Sequence, residues 1–280
     1  MDIASLPSSY AGLKLDGEQL HEDARYGALP FDCFALSNWD FSRPLPKDKE
    51  QWHDLVLKWL AFTALERRPY HILGHEAWKT PAPTQEVIDR VLAPFQTTNE
   101  RNAALRALCG RWSPMWLRTC YDPELCKDYK VPPVHFLTPA HILDDEGLYG
   151  GLESDWTQIY FRVPSIPDCV QIGEPEVESD GVRAEEFGEP EFENEREAHE
   201  AGIRERTFVY LIDREALRDK VIKLMWIDIH GNCVWDFSFP EGDFDDLQGP
   251  LNRPYFLTEI ISRGAVSDQS FKRGARLSLT

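Results

Sequence analysis

No apolar run in this chain approaches the ~20 residues needed to cross a bilayer. The opening MDIASLPSSYAGLKL has neither a basic n-region nor an apolar h-region, so a cytosolic protein without membrane contact is the expectation. Also missing are a GxGxxG after a strand, a P-loop, GxSxG, HExxH and CxxC. These absences argue against a nucleotide-dependent or common hydrolytic enzyme, and no cofactor is expected. They leave room for an enzyme whose site is assembled from scattered residues. Positive charge is scarce: 30 Lys and Arg stand against 48 Asp and Glu, a formal net charge of −18. That balance speaks against nucleic acid or an anionic membrane as an unspecific partner. Six cysteines run from Cys33 to Cys233 without a dense framework, and they read as reduced thiols.

Aromatic residues are plentiful, at 12% of 280 positions with nine Trp, which is enough to build a sizeable core. The organisation read from composition is a loosely ordered arm over 1–28, a single α+β domain over 29–266, and a frayed tail over 267–280. Within the domain, 174–200 stands apart. It holds twelve acidic residues and two Arg, a net −10. It reads as a charged insert between strands, either simply solvated or docking a basic partner protein.

Periodicity places the elements. Residues 31–39 (FDCFALSNW) read as a first strand. Residues 48–66 form the clearest helix, with Trp52, Leu55, Val56, Trp59 and Leu60 on one face and Pro69 marking its end. Residues 84–93 and 98–109 read as a helical pair, Thr84 capping the first and Thr97 with Glu100 forming a capping box on the second. Residues 134–137 read as a strand, 138–145 as a helix, 156–163 as a strand, and 255–262 as a late helix. The strand–helix–strand order of 134–163 repeats that of the next stretch, more by shared architecture than by duplication.

The most strongly patterned stretch is 207–239. TFVYLI reads as a buried strand, Asp213 as the cap of a short helix over 214–219, and 221–230 and 233–239 as two further strands. A two-residue loop at Gly231-Asn232 would close the hairpin, since both residues tolerate φ > 0. That loop would set His230 opposite Cys233, Asp228 opposite Trp235, Trp226 opposite Phe237 and Leu224 opposite Phe239, all on one face. Cys233, His230 and Asp228 would then have the makings of a catalytic set: thiol nucleophile, imidazole base and orienting carboxylate. The blander reading makes Cys233 small core filler beside two polar residues at a strand end.

Two other groups could hold metal. His71 and His75 lie four apart with Glu76 adjacent, the spacing of two ligands on one helix face, although Gly74, Pro69 and Pro81 argue for a polar loop. Cys109, Cys120, Cys126 and His135 lack the close cysteine pair of structural zinc sites and read better as separate buried thiols. The run Asp228-Ile-His230-Gly-Asn with Gly242-Asp-Phe-Asp-Asp resembles the first two metal motifs of calcineurin-like phosphoesterases. In that family a helix separates the motifs and later histidines complete the site. Here only 233–241 intervenes and no histidine follows His230, so the likeness is accidental.

At TFVYLIDREAL and KLMWIDI the chain resembles families of uncharacterised proteins from fungi and actinobacteria. These share a strand, a short helix with a D-x-x-x-L start and a second strand, near a helix carrying Trp. The residues concerned are Phe208 to Leu217, Lys223 to Ile229 and Trp52 to Leu60, about a third of the chain. The resemblance implies an α+β fold and supplies no activity. The combined expectation is an antiparallel or mixed sheet with helices packed on one face, plus the acidic insert. In function it is a protein-interaction or ligand-binding module taking a basic protein or a small molecule. The alternative is a small-molecule-modifying enzyme using Cys233, His230 and Asp228.

Overall fold

The computed structural model describes residues 26–75, 83–109, 115–127, 142–168, 205–240 and 271–273. Residues 1–25 of the expected arm, the strand at 134–137, the acidic segment and the late helix lie outside these residues. So does the helix start at 138–139.

The chain begins with helix α1 (Pro30–Asn38) where a strand was expected. Pro30 sits in the first turn, and the Asp32 carboxylate turns back to accept the N–H groups of Gly27 and Leu29 at 2.9 and 3.4 Å. Ser37 and Asn38 donate to carbonyls one turn earlier, those of Cys33 and Phe34. Phe31, Cys33, Phe34 and Ala35 are all buried. A helix covered on several sides carries a continuous apolar run, which no periodicity separates from a strand.

Helix α2 (Asp48–Ala61) buries the predicted face of Trp52, Leu55, Val56, Trp59 and Leu60. It stops at Phe62, which is extended, and not at Pro69. Thr63 and Glu66 then form a capping box that starts helix α3 (Ala64–His75). Pro69 lies inside α3. The carbonyl it deprives of a donor is that of Leu65, an exposed residue whose backbone water can serve.

Helix α4 (Gln85–Val87) is capped by Thr84, as expected, but passes into a π-turn at Ile88–Leu92. Helix α5 (Thr98–Cys109) has its capping box, Thr97 N–H to Glu100 at 2.6 Å and Glu100 N–H to Thr97 Oγ1 at 3.2 Å.

Strands β1 (Met115–Arg118) and β2 (Ile142–Leu143) were not anticipated, β2 falling where a helix was expected. Between them lies the short helix α6 (Pro123–Cys126), and after β2 comes α7 (Glu146–Tyr149). The segment read as a strand at 156–163 is a 3-10 helix (Trp156–Phe161), started by the Asp155 side chain on the Thr157 N–H. Among the described residues, the apparent repeat of strand, helix and strand thus has a short strand where its helix was read and a 3-10 helix where its last strand was read.

Strand β3 (Glu205–Ile212), helix α8 (Arg214–Asp219) capped by Asp213, and strands β4 (Val221–Asp228) and β5 (Cys233–Pro240) follow the reading closely. A last strand β6 (Phe271–Arg273) lies in what was read as a frayed tail. The six strands form one mixed sheet in the order β2-β1-β3-β4-β5-β6. β1 runs parallel to β2 and β3, and the other pairs are antiparallel. The protein is α+β.

One sheet face, with Met115, Leu117, Leu143, Val209, Leu211, Met225, Ile227 and Cys233, shares a core with α1, α2, α5 and the segment 159–166. On the opposite face Trp116 stacks on Tyr210 at 4.4 Å, and Leu224, Trp226, Phe237 and Phe239 are also buried. Both faces being covered explains the near-continuous apolar runs of β3 and β4.

The helical layer is tied together by a fully buried ion pair. Arg101 of α5 grips Asp32 of α1 in a two-pronged contact of 2.9 and 2.6 Å, donates to Gln96, and lies over the Tyr26 ring at 4.2 Å. Removing one partner leaves a buried charge without its counter-ion. Arg101→Met should lower the unfolding free energy by about 3–5 kcal/mol, measured by urea denaturation. Adding Asp32→Asn to that variant should cost less than the two single changes summed.

Candidate functional site

The Asp228, His230 and Cys233 cluster sits where the β4–β5 hairpin turns, and the turn is not the two-residue loop expected. Residues 229–232 form a four-residue connection. Asp228 N–H donates to the Asn232 carbonyl at 2.9 Å, and Gly231 N–H to that of Asp228 at 3.0 Å. Asp228 itself explains the choice. Its carboxylate accepts the backbone N–H groups of His230 and Asn232 at 2.9 and 2.8 Å and the Asn232 side-chain amide at 2.8 Å. An Asx residue with its acceptor filled by the turn prefers this longer loop to a tight one.

Lengthening the loop moves the register. Trp226 pairs with Trp235, Leu224 with Phe237 and Ile222 with Phe239, a shift of two that keeps these positions on the expected shared face. A bulge between Trp226 and Ile227 then changes the side for the first residue of β5. Cys233 lies opposite Ile227 rather than His230, in the core shared with the helices, with 7% of its surface exposed.

His230 is half-buried, and its Nδ1 lies 2.8 Å from the Leu60 carbonyl at the end of α2. A carbonyl only accepts, so Nδ1 carries a proton and donates it to Leu60. The Asp228 carboxylate, taken up by the turn, does not orient this imidazole.

The tip is clasped from below by residues that sequence reasoning passed over. Tyr160 donates its hydroxyl to the Gly231 carbonyl at 2.9 Å. Burial, with Cys233 and Asp228 nearby, pushes this phenol well above its usual range and keeps it a neutral donor. Arg67, fully buried in α3, donates to the carbonyls of Ile229 at 2.5 Å and Trp59 at 2.8 Å and pairs with Asp168 at 2.6 Å. Its guanidinium lies over the Trp59 ring at 4.8 Å, and the Trp59 indole N–H donates to the same Asp168 at 2.9 Å. At the α2 C-terminus the Trp59 carbonyl already accepts the Phe62 N–H at 3.1 Å and takes a second donor, whereas that of Leu60 faces the hairpin. An arginine and an imidazole N–H serve these carbonyls, as the negative end of a helix favours. The Trp52–Trp59 spacing was the one sequence signal here. Nothing in the pattern marked Arg67, Tyr160 or Asp168, which lie 59 or more positions from the hairpin tip.

His71 and His75 both fall within α3, so the backbone sets them on one helix face, contrary to the loop expected there. Their side chains lie outside the described residues. Among the described residues, no group of three or more His, Cys, Asp or Glu is placed to hold a metal ion, and no helix is long and apolar enough to cross a membrane.

Gly231 has φ +79, and a Cβ there would meet the Tyr160 ring at 2.9 Å. Both the left-handed backbone and the close approach require glycine. Gly231→Ala should therefore destabilise the protein by at least about 2 kcal/mol in thermal or urea unfolding. Alkylation of Cys233, slow in the native chain, should accelerate in that variant. Equal stability of the two proteins would mean that the tip is not held against Tyr160.

No protein-family model, curated protein or solved structure matches this chain, so the reading of its function rests on its own residues.

Proposed function

We propose that this protein is a cytosolic, non-catalytic interaction module, and that its acidic segment 174–200 takes a basic partner protein. The observation that carries the reading is the concentration of charge: a net −10 of the chain's −18 falls in that segment. So dense a run of like charge repels itself, and a cationic surface relieves the repulsion. Attraction of this kind accelerates encounter and fades as salt rises.

The competing enzyme reading asks Cys233 to act as a nucleophile, His230 as base and Asp228 as orienter. The geometry of the tip favours the binding reading. Asp228 is occupied by three N–H groups of its own turn, His230 is held by Leu60, and Cys233 is core. A thiol in that setting is packing material.

Affinity capture with the intact chain, with a chain lacking 174–200, and with Cys233→Ala separates the two. The binding reading expects a basic protein held by the intact chain and by Cys233→Ala, lost on deletion, and released progressively by salt. If the deletion retains the same partners, the acidic segment is not the docking site. If a turnover is found that Cys233→Ala abolishes, the enzyme reading replaces this one.

A further inference from the structure

A second cluster of reactive groups lies at the carboxyl end of β1. In the order β2-β1-β3 the three parallel strands place β1 between its two successors, so the chain leaves β1 toward one neighbour and later reaches the other. The carboxyl ends at such a divergence are open to side chains from the following loops. Here Arg118 ends β1, Thr119 to Asp122 lead into α6, and Asp213 and Arg214 follow β3.

Two cysteines flank this loop. The half-buried Cys126, last residue of α6, donates its thiol to the backbone carbonyl of Cys120 at 3.7 Å. The same carbonyl accepts Arg118 Nε at 3.0 Å, which sets the Arg118 guanidinium and the Cys126 sulfur around one oxygen. Arg118 is held for this by Asp144 at 3.3 Å and by the Tyr121 ring at 4.5 Å. Cys120 is fully buried at the start of the loop, whose Asp122 pairs with Arg214 at 2.9 Å. Burial pushes the Cys120 thiol up. The two cysteines are thus unequal: Cys126 is half-buried beside a guanidinium, and Cys120 is fully buried. Cys33 and Cys233, by contrast, are both buried.

We propose that Cys126 and Cys120 form a peroxide-responsive dithiol, with Cys126 the attacking and Cys120 the resolving residue. The Cys126 thiol, beside the Arg118 guanidinium, loses its proton and attacks one oxygen of hydrogen peroxide. The O–O bond breaks, sulfenic acid forms on Cys126, and the departing hydroxide takes a proton to become water. The Cys120 thiolate then attacks the sulfenic sulfur. The S–O bond breaks, a second hydroxide leaves as water, and a disulfide closes across α6. Two thiols and one peroxide give one disulfide and two waters, the dithiol supplying both electrons. A reversible bridge of this kind suits a reducing compartment, where disulfides serve as transient sensors. The proposal stands independently of the partner bound by the acidic segment.

The test uses the full chain. Trypsin cuts after Arg118 and Lys127, so peptide 119–127 carries both cysteines. After brief peroxide treatment and alkylation, that peptide should appear two hydrogens lighter and unalkylated, and dithiothreitol should restore it. In Cys120→Ser, dimedone should trap sulfenic acid on Cys126. In Cys126→Ser, the folded protein should lose the bridge. Arg118→Met should slow oxidation several-fold, with Arg118→Lys recovering part of the rate, circular dichroism confirming that each variant is folded. The proposal is overturned if the folded chain forms no 120–126 bridge, if either cysteine bridges elsewhere instead, or if Cys126 oxidises no faster than in denaturant.

Discussion

The structure depends on how the end of α2 is closed. A helix that stops inside a protein leaves carbonyls facing a medium without water, and each must find a donor. Here the carbonyls of Trp59 and Leu60 are met by Arg67 from the next helix and by His230 from a hairpin 170 residues away. Because Arg67 also holds Ile229 and Asp168, one guanidinium joins α2, α3, the 3-10 turn Ile166–Asp168 and the β4–β5 connection. Buried ion pairs of this sort add little net stability over an apolar replacement, but an incomplete one is costly. Their effect is to make one arrangement of the layers much better than its neighbours.

Arg101 and Asp32 repeat the device on the other side of the helical layer, and Arg162 with Glu100 and Tyr149 makes a third, more exposed version. These pairs consume charge internally. The surplus that gives the chain its acidic character is concentrated in 174–200, which is why the proposed binding function is assigned there and not to the hairpin. The hairpin tip, by the same logic, is an anchor. Its polar residues hold the turn and the Leu60 carbonyl, and its cysteine packs in the core.

The cysteines divide along similar lines. Cys233 sits on the buried side of a bulge, whereas Cys126 shares a turn with an arginine and a half-exposed surface. Residue type alone made Cys233 the more attractive candidate, since a histidine and an aspartate stand close to it in sequence. Reactivity follows access and local charge, and these were decided by strand register and by what packs behind the strand.

Local rules were legible without a structure: the apolar face of α2, the caps at Thr84, Asp213 and Thr97–Glu100, the strands β3, β4 and β5, and the α+β class. Each depends on residues within a few positions of one another, where spacing and side-chain chemistry are sufficient. The helix at 30–38, the 3-10 turn at 156–161, the strands β1 and β2 and the hairpin register were not legible. An apolar run buried on all sides carries no period, a short strand draws its stability from neighbours, and register turned on where one carboxylate found its N–H donors. The cluster was legible as neighbours in sequence, but its geometry in space was not. Asp228, His230 and Cys233 are adjacent in the chain, but their bonds to the turn, to Leu60 and to the core come from packing that brings distant segments together.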